Sequence, residues 1–98
     1  MIAPWESMLD LVRRMLAAAE AGEFGRVLEL ENERSGILSQ LPQPTEEQLQ
    51  LLRDIVETDR RVVALTVAAH RQAAAALEHQ RRASSHAASY ARMSRIGL

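Results

Sequence analysis

TEEQLQLLRDIVETDRRVVALTVAAHRQAAAALEHQRRASSHAASYARMSRI, from Thr45 to Ile96, contains neither glycine nor proline. More than half of a 98-residue chain is therefore free of strong helix breakers. Thr45-Glu46-Glu47-Gln48 opens it with the pattern of a capping box, in which the first and fourth side chains satisfy each other's backbone N–H groups. Pro42 and Pro44 lie just upstream and stop whatever precedes them. The pattern predicts a helix over residues 45–83, roughly 58 Å long at about 1.5 Å per residue. A compact domain of this size is only about 30 Å across. The helix must bend, project or find a cover.

Leu49, Leu52, Ile55, Val56, Val62, Val63 and Leu65 put large side chains on one broad face of that helix, and Ala69, Ala73 and Ala76 continue it with small ones. Upstream, Pro4 suits a first helical position. Trp5, Met8, Leu9, Val12, Met15, Leu16 and Ala19 then recur in steps of three and four, predicting a helix over residues 4–21. Gly22 supplies the stop. A second helix is expected over residues 23–40, with Phe24, Val27, Leu28, Ile37, Leu38 and Leu41 as its apolar positions and a soft, polar centre containing Gly36. The short turn makes these two helices an antiparallel hairpin. Beyond Arg82 the serines predict a weak, mobile final helix over residues 86–96, with Tyr90, Met93 and Ile96 as its apolar side. The expected fold is all-α: a helical hairpin plus one long helix in a three-helix bundle, a single domain over residues 1–98.

There is no cysteine, no basic and apolar leader before Trp5, and no apolar run of the length that spans a bilayer, so the chain reads as soluble and cytoplasmic. Its charge is split. Residues 1–59 hold twelve acids and five arginines, for −7, whereas residues 60–98 hold seven arginines and Glu78, for +6. The two halves can attract each other within or between chains. Arg81, Arg82, Arg92 and Arg95 form too small a patch, with no recognition motif, to indicate nucleic-acid binding, and three large apolar side chains are too few for membrane docking.

No catalytic constellation is visible. His79 and His86 share a helix face but stand two turns apart, too far for joint metal ligation, and His70 adds nothing to them. Ser84 and Ser85 beside His86 lie on no nucleophile elbow. There is no glycine-rich phosphate loop, and no cofactor is expected. Asp59 stands out because it falls on the apolar face between Val56 and Val63. Two readings stay open: an acid paired with Arg13 or Arg34, or a buried polar residue that fixes helix register or touches a partner.

Gly22-Glu23-Phe24, then Leu28, Leu30-Glu31, Arg34 and Leu38, resembles the second-helix segment of the FliT family of flagellar export chaperones. Trp5, the linker prolines Pro42 and Pro44, Asp59 on the long helix and the closing Tyr90-Ala91-Arg92-Met93-Ser94 extend the resemblance over nearly the whole chain. The alanine-rich distal helix and the short tail after Tyr90 depart from it. The resemblance implies a chaperone that binds the C-terminal part of the filament-cap protein FliD before type III export. It implies self-association through the first two helices, which places Trp5, Met8, Leu9, Val12, Met15 and Leu16 at a homo-oligomer contact. It also implies a cargo surface on the long helix, here Val62, Leu65, Thr66, Ala69, Ala73, Ala76 and Leu77, and a final segment, with Tyr90, Met93 and Ile96, that masks it. Some members of the family bind the export gate and the flagellar master regulator FlhDC. An anti-activator of such a regulator and a helical dimer without a client are the alternatives.

Overall fold

The structure is a computed structural model that describes residues 3–95. Helix α1 spans Pro4–Glu20, α2 spans Phe24–Leu38, a single 3-10 turn spans Glu46–Gln48, and α3 spans Leu49–Arg95. No strand occurs among the described residues. The chain divides into two compact units, Met1–Val67 and Ala68–Leu98.

Pro4 occupies the first turn of α1, and the Ala3 carbonyl accepts the first helical bond from Ser7 N–H at 3.0 Å. The far end closes in a Schellman motif. Glu23 N–H donates to the Ala18 carbonyl at 2.8 Å and Gly22 N–H to that of Ala19 at 3.1 Å. Gly22 takes φ +75°, the left-handed conformation that a side chain would strain. With only three residues between the helices, α2 folds straight back along α1, and the two backbones run close together. Ala18 and Ala19, both buried, keep that approach unobstructed.

The core draws on all three helices. From α1 come Trp5, Met8, Leu9, Leu11, Val12 and Met15; from α2, Val27 and Leu30; from α3, Ile55 and Val62. Leu11 and Leu30 are among its best-buried members, yet neither lies on the apolar rows expected from spacing. Leu28, which does lie on such a row, is 68% exposed. α1 is flanked by both other helices, so it buries more than a single stripe, and α2 turns one side of its apolar arc to solvent.

α2 ends at Leu38, two residues before the expected limit. Leu41 returns to the core, and the Trp5 indole Nε1–H donates to the Pro42 carbonyl at 3.2 Å, tying the linker to the start of α1. The Gln48 side chain accepts from Thr45 N–H at 3.0 Å, the half of the capping box contributed by the fourth residue. α3 then runs to Arg95 without the break expected near residue 83. The reason is local. A serine costs only a few tenths of a kcal/mol in a helix relative to alanine. Ala83, Ala87, Ala88 and Ala91 alternate with the serines, and no glycine or proline intervenes.

Gly36 lies inside α2, and a Cβ built there would meet nothing within 4 Å. Gly36→Ala should therefore stabilise the protein by about 0.5–1 kcal/mol, by restricting the unfolded chain and favouring helix. Urea unfolding measures it. No gain would mean that the helix tolerates no further order at this point.

Candidate functional site

Arg34 on α2 and Asp59 on α3 form an ion pair that joins the two helices. Both side chains are partly buried, at 22% and 30% exposure, and Glu31 Oε2 lies 3.8 Å from Arg34 Nε. Asp59 thus takes the first of its two expected readings, with Arg34 as the partner. It belongs to no buried, unpartnered polar site.

Apolar troughs open on both sides of this pair, each bounded by all three helices of the first unit. One, of about 400 Å³, has Trp5, Met8, Leu38, Leu52, Ile55 and Val56 in its walls. The other, of about 300 Å³, has Met15, Val27, Leu28, Val62, Val63 and Thr66. Arg34 and Asp59 border both. The troughs exist because α1 and α2 pack backbone to backbone, while α3 meets them through longer side chains. Large apolar residues well exposed to solvent line them, Leu28 and Leu38 on α2 and Val56 and Val63 on α3, and Leu49 and Val67 are likewise exposed further along α3. The α3 members follow one another at steps of seven, seven and four, so they share a face.

The expected cargo residues are divided by the fold. Val62 is buried at 3% exposure, and Leu65 is packed against the core, so neither is presented to a client in this conformation. Thr66 is exposed, with its hydroxyl donating to the Val62 carbonyl at 2.8 Å. In the second unit Ala69 is half-buried, Ala73 and Ala76 are exposed, and Leu77 is 49% exposed. The residues expected at a self-association contact, Trp5, Met8, Leu9, Val12 and Met15, are all buried within this chain, and Leu16 packs against them. Of the expected masking residues, Tyr90 is exposed; the Met93 side chain and Ile96 lie outside what the structure describes. Spacing alone does not single out Val56 and Val63 as the open side of α3, because both fall on its broad apolar face together with Ile55 and Val62.

The sequence model of one protein family, described as Flagellar protein FliT, matches residues 2–92. The chain belongs to the FliT family. FliT proteins are flagellar export chaperones, and this chain is helical, without strands among its described residues. No curated protein and no solved structure matches it. Among the described residues no helix is long and apolar enough to cross a membrane, and no group of three potential ligands gathers to hold a metal ion.

Proposed function

We propose that this chain is a flagellar type III export chaperone that binds the C-terminal part of the filament-cap protein FliD in the cytoplasm and keeps it unassembled before export. Family membership supports the general role. The observation that carries the reading is the number of large apolar side chains left in solvent: Leu28, Leu38, Leu49, Val56 and Val63 in the first unit and Leu77 in the second. Scattered exposed apolar residues are ordinary on a soluble protein, but aligned ones that border apolar troughs mark an interaction surface. An amphipathic client helix laid in a groove is the mode that suits such a surface. The exposed distal face, Ala73, Ala76 and Leu77, is a second contact for the same client, and Tyr90 with the tail beyond it competes for that face only when the end of α3 unwinds. The export gate, an FlhDC-type regulator and a second copy of the chain are further partners on this reading; nucleic acid and membrane are not.

Calorimetric titration with the C-terminal segment of the cap protein tests it. Saturable binding is expected, weakened about tenfold or more by Leu77→Glu, which removes an apolar contact and leaves a carboxylate in its place. Because Leu77 is half exposed, its helix content by circular dichroism should not change. Absence of binding to the cap segment would overturn the role, and capture of a transcriptional regulator in its stead would establish the anti-activator.

A further inference from the structure

The two troughs differ in charge. Three charged residues border the first: Arg34 and Asp59, which neutralise each other, and Arg60. Arg60 is exposed and forms no ion pair among the described residues, so this end of the groove carries a net positive charge. The second trough is bordered by Arg34, which Asp59 and Glu31 share, so two carboxylates face one guanidinium and its end is net negative. On the outer rim Arg53 and Glu57 stand one turn apart and cancel. The groove between α2 and α3 is therefore bipolar, with an ion-paired saddle at its middle.

Its dimensions select the kind of chain that can fill it. Val56 and Val63, one in each trough, are seven residues apart on α3, or about 10.5 Å along the helix axis. A helical ligand lying along α3 spans that distance with residues i and i+7, which face the same way. An extended ligand spans it in about three residues, and residues i and i+3 of a strand point to opposite faces. A helix fills both troughs and a strand fills one. The half-buried Arg34–Asp59 pair lies beneath the middle of the ligand, where a large apolar side chain would strip water from two charges.

Resting on the chaperone reading above, we infer that this groove takes an amphipathic α-helix of the client with a defined signature. Large apolar residues stand at i and i+7, a small or polar residue stands at i+3 or i+4 above the saddle, a carboxylate flanks the residue that enters the Trp5 trough, and a cation flanks the one that enters the Leu28 trough. The charge pattern sets which end of the client helix lies in which trough. The apolar spacing sets its register.

Synthetic helical peptides test this on the full-length protein, with binding read by calorimetry and by the emission of Trp5, the only tryptophan and a wall of the first trough. A peptide with leucines seven apart, serine between them, glutamates beside one leucine and lysines beside the other should bind more tightly than peptides of the same apolar pattern whose flanks are all glutamate or all lysine. Val56→Glu and Val63→Glu should each weaken it at least tenfold; both positions are exposed, so neither change disturbs folding. Arg60→Glu should weaken it about fivefold and make the all-lysine peptide a better ligand than it is for the unaltered protein. Equal binding of the three peptides overturns the charge pattern, and full binding by both valine variants overturns the site. Should the protein itself self-associate at these concentrations, and Val56→Glu and Val63→Glu abolish that, the occupant is a second copy and the proposal fails. The cap-protein segment separates this from the wider reading. If it binds the unaltered protein and all three variants equally, the groove proposal fails and the chaperone stands. If it does not bind while the bipolar peptide does, the groove stands and the client assignment fails.

Discussion

Leu11→Ala should remove about 3 kcal/mol of stability, a large share of what a chain of this size has. Leu11 has no solvent exposure at all, and its neighbours Val12 and Met15 are equally enclosed. Truncating a leucine in such a place forfeits both its transfer free energy and its packing, because the surrounding side chains close the void only in part; the usual range is about 2–5 kcal/mol. The first unit has a thin core drawn from three helices, and small domains have only about 5–15 kcal/mol in total. At about 4–8 °C per kcal/mol for a chain of this length, the midpoint of thermal unfolding should fall by about 15 °C. Leu16→Ala, at a partly buried position, serves as the comparison and should cost clearly less. Equal losses at the two sites would show that α1 is buried around its whole circumference rather than on two sides.

Leu11 also shows where reading by period stops. Steps of three and four residues pick out Trp5, Met8, Leu9, Val12, Met15, Leu16 and Ala19; all of these are buried except Leu16, which is partly so. The method assumes one apolar stripe. It overlooks a helix held between two neighbours, whose enclosed arc is wider, and so it passed over Leu11 and, on α2, Leu30. The ends of the first two helices were legible because punctuation there is strong: Pro4, Gly22 and the pair Pro42 and Pro44 leave few alternatives. The end of the long helix was not. The serines near residue 85 suggested a loose linker, but their propensities differ from alanine by amounts that an unbroken run of helix formers easily overrides. The site was half legible. That Asp59 sits on an apolar face follows from its position; whether it is paired, and whether Arg13 or Arg34 reaches it, depends on which side of α2 faces α3. The open surface was hidden for a related reason. Val62 and Val63 are adjacent in sequence and differ by about 100° around the helix, so both fell within the broad apolar face. The hairpin covers the Val62 side and leaves the Val63 side to solvent. Only the packing of α3 on the other two helices decides between them.

Asp59→Ala should cost about 2 kcal/mol, and the double replacement Arg34→Met with Asp59→Leu should restore most of that loss. The single change leaves the Arg34 guanidinium half buried with only the distant Glu31 carboxylate at 3.8 Å for compensation. An uncompensated charge in a fully buried pair costs about 3–5 kcal/mol; partial exposure of both partners here reduces the penalty. Replacing both groups with apolar ones removes the desolvation problem, and exchanges of this kind are commonly neutral or stabilising. Chemical denaturation of Arg34→Met, Asp59→Leu and the double variant that combines them closes the cycle; additivity of the single losses in the double variant would show that the pair is not coupled. The same variants bear on recognition. With the saddle gone, the troughs merge into one continuous apolar groove. The double variant should then accept a helical peptide carrying leucine, in place of serine, between its two outer leucines, whereas the unaltered protein should discriminate against it. If the ion pair contributes more to choosing a register than to holding α2 and α3 together, stability will be nearly unchanged in the double variant while selectivity between the two peptides falls. That separation of stability from selectivity is what a polar group placed in the middle of an otherwise apolar groove is expected to produce.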